Sequence, residues 1–295
     1  MVNSLYTPTE AAQATLSSLR WLSNLTRTVR QDFSTEFVAG RGQTVNVRGP
    51  ISAGKAKVYT PANRAARDAI GFNDLIEEWF PVKLDNQVYN AVRLPDNFAT
   101  FTLEDITRQV FKPQAESVVD ELATPLVAEM SVTATDASIP AIAADGSNFL
   151  DVLIATRKVL NDRKVPAANR FFAVGSAAEA AALRVDQLQK VNESGTASVL
   201  QEATLGRLMG FTIVADSALA EDFGVGYHTD AFAHVTRPSR QPEGAAKSAT
   251  IAQDGYALRW IQQYNPLQLE DQSVVDTFYG AATLDADRAV SVSVA

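Results

Sequence analysis

From Arg41 to Arg67 the chain carries no acidic residue but six basic ones, Arg41, Arg48, Lys55, Lys57, Arg64 and Arg67. Within that stretch Thr44–Val45–Asn46–Val47 alternates, Gly49–Pro50 breaks the pattern, and Lys55 to Tyr59 alternates again. This order predicts a long β-hairpin. The segment offers few residues that a core of its own could bury, so packing within one body explains it poorly. The net charge of −8 thereby divides into +6 in this segment and −14 elsewhere.

The remainder can supply a core. At 295 residues and 46% hydrophobic content, there is enough chain for one large domain or two smaller ones. The acidic balance argues against a general nucleic-acid binder. With no cysteine there is no disulfide framework, thiolate metal site or cysteine nucleophile. The opening "MVNSLYTPTEAAQATL" lacks the basic start and apolar core of a secretory signal. No apolar run approaches the ~20 residues that span a bilayer, so a soluble protein without membrane contact is expected.

Helix signals frame the basic segment. Thr7, Pro8 and Glu10 form a helix start, followed by an apolar stripe at Ala12, Leu16, Leu19 and Leu22. Helix restarts at Thr102, with Asp105 completing a cap-like pattern, and runs to Met130. Pro113 and Pro125 are expected to kink or break it. Its outer face carries Glu116, Asp120, Glu121 and Glu129. After a polar stretch, "SNFLDVLIATRKVLND" predicts a capped helix, "RFFAVG" a buried strand, and Ser176 with Glu179 a capping box opening a further helix. "GFTIVAD", "AFAHVT", "YALRWIQQ", "SVVDTFYG" and "AVSVSV" then predict strands. The order implies an α+β class.

No catalytic pattern outranks a structural explanation. In "TLGRLMGFTIVAD", Gly206 and Gly210 enclose three residues and lead into strand. A phosphate loop needs four residues and a following helix. "GRGQTV" at Gly40 lacks the third glycine of a dinucleotide fingerprint. His228 and His234 are six apart, not the four of a zinc peptidase helix, and a packed or interface role is expected for His234. Ser176 lacks the glycine spacing of a nucleophile elbow. Asp216, Asp222, Asp230 and Asp254 form no informative pair. No enzyme activity, cofactor or metal is expected.

With these elements in order, the chain resembles the major capsid proteins of tailed bacteriophages, which share the Hong Kong-type fold with herpesvirus capsids and encapsulins. The phrases that carry the resemblance are "TEAAQATLSSLRWLSNLTRTVRQDFSTEF" followed by "GQTVNVRGP", then "LGRLMGFTIVADSAL", "YHTDAFAHVTRP" and the closing "QSVVDTFYGAATLDADRAVSVSV". It implies an N-terminal arm at 1–38, an extended loop region at 39–95 and a peripheral-domain spine helix at 96–132. An axial α/β domain at 133–265 and returning strands at 266–295 would follow. The absence of a long N-terminal extension implies a separate scaffolding protein, and the length leaves no room for an additional inserted domain.

In that family the loop lies over the neighbouring subunit's peripheral domain. The resemblance thus implies inter-subunit contacts for Arg41, Arg48, Lys55, Lys57, Arg64 and Arg67, facing Glu116, Asp120 and Glu121 of the next copy. Each exposed pair would contribute only ~0–1 kcal/mol, fixing register more than affinity. Apolar burial at Val45, Val47, Tyr59, Trp79 and Phe80 would supply most of the binding. Head-to-tail contacts of this kind close into rings, here pentamers and hexamers of an icosahedral shell around double-stranded DNA, with a portal. The acidic body would suit a lumen that must not grip phosphates. The implied location is the virion capsid, assembled in the host cytoplasm. Three alternatives remain: an encapsulin-like compartment, a soluble α/β enzyme, and a tail or decoration component.

Overall fold

The computed structural model describes residues 25–31, 44–48, 54–77, 79–96, 110, 112–185, 206–245, 247–253 and 256–295. In chain order the elements are β1 (Thr44–Arg48), α1 (Pro61–Ala66), β2 (Trp79–Lys83), β3 (Asn86–Pro95), α2 (Lys112–Leu122), α3 (Thr124–Ser131) and α4 (Phe149–Asp162). They continue with β4 (Arg170–Val174), α5 (Ser176–Leu183), β5 (Arg207–Leu208), β6 (Phe211–Ala215), β7 (Phe223–His228), β8 (Phe232–Arg237), β9 (Lys247–Gln253), β10 (Tyr256–Asn265), β11 (Glu270–Thr283) and β12 (Ala289–Ser293).

One five-stranded sheet has the order β12-β7-β4-β6-β5, with β4 and β6 parallel and the other neighbours antiparallel. Alternation along β4 gives this sheet two buried faces. Phe172 and Val174 pack with Phe149, Phe211, Val290 and Val292 under α4 and α5. Ala173 points the other way, to Leu126, Met130, Val225 and Tyr227. Helix α4 lies close to β7: a Cβ on Gly226 would sit 2.5 Å from the Thr156 methyl. The motif Gly206–Gly210 resolves as a turn into strand, as its spacing predicts. Met209 and Gly210 both have positive φ (47° and 89°), the conformation of a two-residue hairpin turn.

In the second sheet β11 is central. Residues 270–279 pair with β3 on one side. On the other side β10 pairs over 270–276 and β8 over 278–283, with β9 outside β10. Val118 and Leu122 of α2 cover one face, against Leu94, Leu258, Trp260 and Val275. Several buried polar groups here are paired. Gln114 Nε2 donates to Ser273 O at 3.1 Å, and Trp260 Nε1 donates to Ser273 Oγ at 3.0 Å. Arg259 grips the buried Asp276 carboxylate through Nε at 2.7 Å and Nη2 at 2.8 Å. Strands β9 and β10, within 133–265, therefore join strands drawn from 39–95 and 266–295.

Part of the N-terminal arm lies in the core. Leu25 and Val29 are buried against Tyr227 and Phe232. Thr28 Oγ1 donates to Leu25 O at 2.6 Å and is hydrogen-bonded to the buried Tyr227 hydroxyl. Burial raises the pKa of that phenol. Arg30 bridges to Ala233 and extends β8 at the edge that β11 leaves open. The apolar stripe at 12–22 and the helix start at Thr102 fall outside the described residues.

Several expectations change. The basic hairpin does not pair Thr44–Val47 with Lys55–Tyr59; β1 pairs with β2, Val45 opposite Val82 and Val47 opposite Phe80. The physical reason is burial: the 55–59 stretch has no face to cover, whereas Val82 alternates inward beside Val45 and Val47. Those two valines, expected at a subunit contact, pack within their own chain against Ala233, Val235 and Leu284. Pro125 sits in the first turn of α3, where a missing N–H costs nothing, and the break expected there falls at Ala123, just before it. Pro113 is the second residue of α2 as described, and the residue preceding α2 lies outside the described set. Ser176 is the first helical residue and not a cap. The cap is Gly175, without a side-chain bond. Among the described residues no helix is long and apolar enough to cross a membrane.

His234 fastens the break. Fully buried on β8, it donates from Nε2 to Leu122 O, 3.0 Å away at the end of α2. Burial lowers its pKa from 6.5 to about 4, although the Leu122 bond acts the other way. Between those values the unfolded chain binds a proton that the folded chain refuses. Stability is then fully present above pH 6.5 and declines by on the order of 3 kcal/mol as pH falls to about 4. Urea denaturation of the unassembled subunit across this range should show that slope, and His234→Gln should flatten it. In the same assay Val47→Ala is expected to cost about 2 kcal/mol at neutral pH.

Candidate assembly surface

Strands β1 and β2 form the base of a limb whose described outer part is 54–77. Its base is anchored by Val45, Val47, Val82 and Leu84. Beyond it, every residue from 54 to 77 is exposed except the half-buried Asn63. Half of the large apolar side chains exposed among the described residues fall between Val58 and Trp79. Phe72 is 86% exposed and Val58 85%, with Ile70, Leu75 and Ile76 all above half. Single exposed apolar residues are ordinary; a concentration on one projecting element marks a surface meant to be covered.

The basic residues divide. Lys55, Lys57, Arg64 and Arg67 are brought together on the exposed limb. Lys57 Nζ donates to Phe72 O at 3.3 Å, and Arg67 closes α1 with a positive φ of 55°. Arg48 is the last residue of β1, opposite Trp79, and its side chain lies outside the described set, as does Arg41 altogether. The limb is also less basic than its first half suggests, because Asp68, Asp74 and Glu77 follow.

The expected acidic partners lie on α2. The side chains of Glu116 and Asp120 are outside the described set. Glu121 is engaged within its own chain: Tyr279 donates its hydroxyl to Glu121 Oε1 at 3.1 Å. Burial, with Glu121 adding to it, pushes the Tyr279 phenol up to about 12. Neighbouring Glu129 likewise accepts from Thr283 N at 3.2 Å and Thr283 Oγ1 at 2.7 Å. Two of the helix-face acids therefore bind helix to sheet.

Sequence reasoning missed Ile70, Phe72, Leu75 and Ile76. Phe72, Leu75 and Ile76 stand at the i, i+3, i+4 spacing of a helix stripe, yet no helix forms over 70–77. The available signal was apolar residues interleaved with the turn formers Gly71, Asn73 and Asp74. A second exposed apolar point, Leu267 and Leu269, caps the β10–β11 turn. There Tyr264 donates to Asp96 Oδ2 at 2.9 Å.

Among the described residues nothing comparable gathers catalytic groups. His228 and His234 serve separate networks. His228 Nδ1 accepts from Asp230 N at 3.2 Å, and burial lowers its pKa more than nearby Asp230 raises it. Among the described residues no three His, Asp or Glu are placed to hold a metal ion. A cleft of about 400 Å³ is lined by Asp145, Ser147, Asp151 and Arg184. Arg184 donates there to Ala144 O at 2.7 Å. The Asp145 carboxyl is held below its ordinary range by the N–H and hydroxyl of Ser147, which makes it a poor general acid.

No protein-family model matches this chain, and no curated protein matches it in sequence. Solved structures do. The chain is similar to a structure of Mycobacterium phage Che8, with 17% identity, 90% of this chain and 89% of that one covered, and a TM-score of 0.64. It is similar to the capsid of the cyanophage P-SCSP1u at 12% identity, covering 86% and 84%, with a TM-score of 0.59. A virus-like particle from Pyrococcus furiosus matches at 11% identity over 96% and 98%, with a TM-score of 0.54. With its limb, its helix-backed sheet and its mixed α/β sheet, the chain has the fold of phage capsid proteins.

Proposed function

We propose that this chain is the major capsid protein of a tailed, double-stranded DNA bacteriophage, with the Hong Kong-type variant of the fold. Copies self-assemble as pentamers and hexamers into the icosahedral head, each limb lying on the adjacent copy. The observation that carries this reading is the limb itself, an exposed apolar projection on a fold shared with phage capsids. One chain cannot cover that projection, and a head-to-tail contact between copies covers it on every subunit while closing rings. Apolar burial at Phe72, Leu75 and Ile76 supplies most of the affinity. Lys55, Lys57, Arg64 and Arg67, together with Arg41 and Arg48, set register against acidic groups of the neighbour, among them Glu116 and Asp120. Glu121 would have to share its carboxylate with Tyr279 to join them.

In this reading a separate scaffolding protein guides assembly, a portal occupies one vertex, and the shell encloses DNA without reading its sequence. Its location is the virion, after assembly in the host cytoplasm. No catalytic role is assigned. The competing reading is a closed compartment that holds protein instead of a genome. Its support is the virus-like particle from Pyrococcus furiosus, which matches more of both chains than Che8 does, though at a lower TM-score.

Negative-stain microscopy of the protein expressed with its phage genes should show closed shells of uniform size. Those shells should contain nuclease-protected DNA; protein-filled shells without it would select the compartment, and absence of any shell would refute both readings. Phe72→Ser should leave the stability of the unassembled subunit within ~0.5 kcal/mol yet sharply reduce the yield of shells. Reversing the charges of Lys55 and Lys57 should alter particle yield or shape, with the effect weakening as salt rises.

A further inference from the structure

The limb has a shape although almost nothing in it is buried. Between residues 54 and 77 no side chain is buried, and the most covered, Asn63 and Tyr59, are polar or carry a polar tip, so a hydrophobic core does not hold it. A six-residue helix such as α1 does not persist alone in water. Polar bonds do the holding. Tyr59 donates its hydroxyl to Asp68 O at 2.7 Å and lies 3.1 Å from Asn63 O. Thr60 and Asn63 form a reciprocal capping box at the start of α1. At its end, Asp68 N donates to Asn63 O at 3.0 Å, and Asn63 Nδ2 donates to Asp68 Oδ2 at 3.1 Å. Lower down, the two legs are tied by Asn73 Nδ2 to Lys55 O at 2.9 Å and by Lys57 Nζ to Phe72 O.

These bonds have a common result. They use backbone carbonyls and polar tips, and leave Val58, Ile70, Phe72, Leu75 and Ile76 facing water. A slack loop with the same residues would fold them onto one another. The pinned loop keeps them apart and available.

We propose that the limb is a preformed body pinned by Tyr59, which meets the second copy already in its docking shape instead of being ordered by contact. The proposal rests on the shell reading above. Tyr59 acts as a positioning residue: its hydroxyl fixes the 59–68 turn, and the turn fixes where the apolar side chains point. Because the ordering cost is met before association, less of the contact energy is consumed in docking.

The test is Tyr59→Phe in the full chain, which keeps the ring and removes the hydroxyl. Below the assembly threshold, hydrogen exchange at the Arg67 and Asp68 amides should quicken about five-fold relative to the parent protein. The threshold concentration for shells should rise by a similar factor, equivalent to the ~1 kcal/mol of one hydrogen bond. The melting temperature of the unassembled subunit should not move. Phe72→Ser provides the contrast, raising the threshold without changing exchange at those amides. Faster exchange with an unchanged threshold would overturn the proposal, as would parent amides that already exchange at the rate of an unstructured peptide. A drop in subunit melting temperature accompanying the threshold would also overturn it, by making Tyr59 a general stabiliser. If the parent protein forms no shells at any concentration, the shell reading fails, while the exchange measurement still decides whether the limb is preformed.

Discussion

Strand β11 is the constraint around which the rest is arranged. Its fourteen residues are long enough to pair with β3 on one edge and with β10 and then β8 on the other. Hydrogen bonding along both edges leaves β11 without an exposed edge over most of its length. Its side chains reach the helices as well: Tyr279 holds Glu121 of α2, and Thr283 holds Glu129 of α3. Asp276 fixes Arg259 of β10 through two bonds. One strand thereby ties the helical layer, both flanking strands and the base of the limb into a single support.

Strand β8 is the second member of that support. One edge pairs with β11, and the other receives Arg30 from the N-terminal arm. Its alternate residues do different work. Ala233 and Val235 lie beneath the limb base, while His234 reaches the end of α2 and Phe232 enters the cluster around Tyr227. The arm, the helix break and the limb are therefore seated on one six-residue strand. Buried polar side chains in this region are paired with backbone carbonyls or with each other, which fixes orientation where apolar contacts alone would tolerate sliding.

Much of this order was legible from residue patterns. The turn at Gly206–Gly210, the helix over 149–162 and the strands "RFFAVG", "AFAHVT" and "AVSVSV" follow from periodicity and turn chemistry. What escaped was governed by tertiary context. Strand β7 is broken up by Gly224 and Gly226, which dilute the β signal; the small size of Gly226 admits the close approach of α4. Strand β2 contains Pro81, which local rules count against a strand, yet in a two-stranded ribbon it needs no second ladder partner. The limb misled for a related reason. Alternation at Lys55–Tyr59 looks like a strand only if a sheet face exists to receive it, and none does. The spacing of Phe72, Leu75 and Ile76 likewise suits a helix stripe, but Gly71, Asn73 and Asp74 lie among them and the segment stays irregular.

The seating of residues 25–31 has a consequence for synthesis. Leu25, Thr28 and Val29 find their contacts on Tyr227 and Phe232, and the limb's Val45 and Val47 find theirs on Ala233, Val235 and Leu284. Both segments leave the ribosome early, but their docking sites emerge some two hundred residues later, at the slow end of the folding spectrum for so non-local a set of contacts. A nascent chain thus has no properly rooted limb until it is nearly complete.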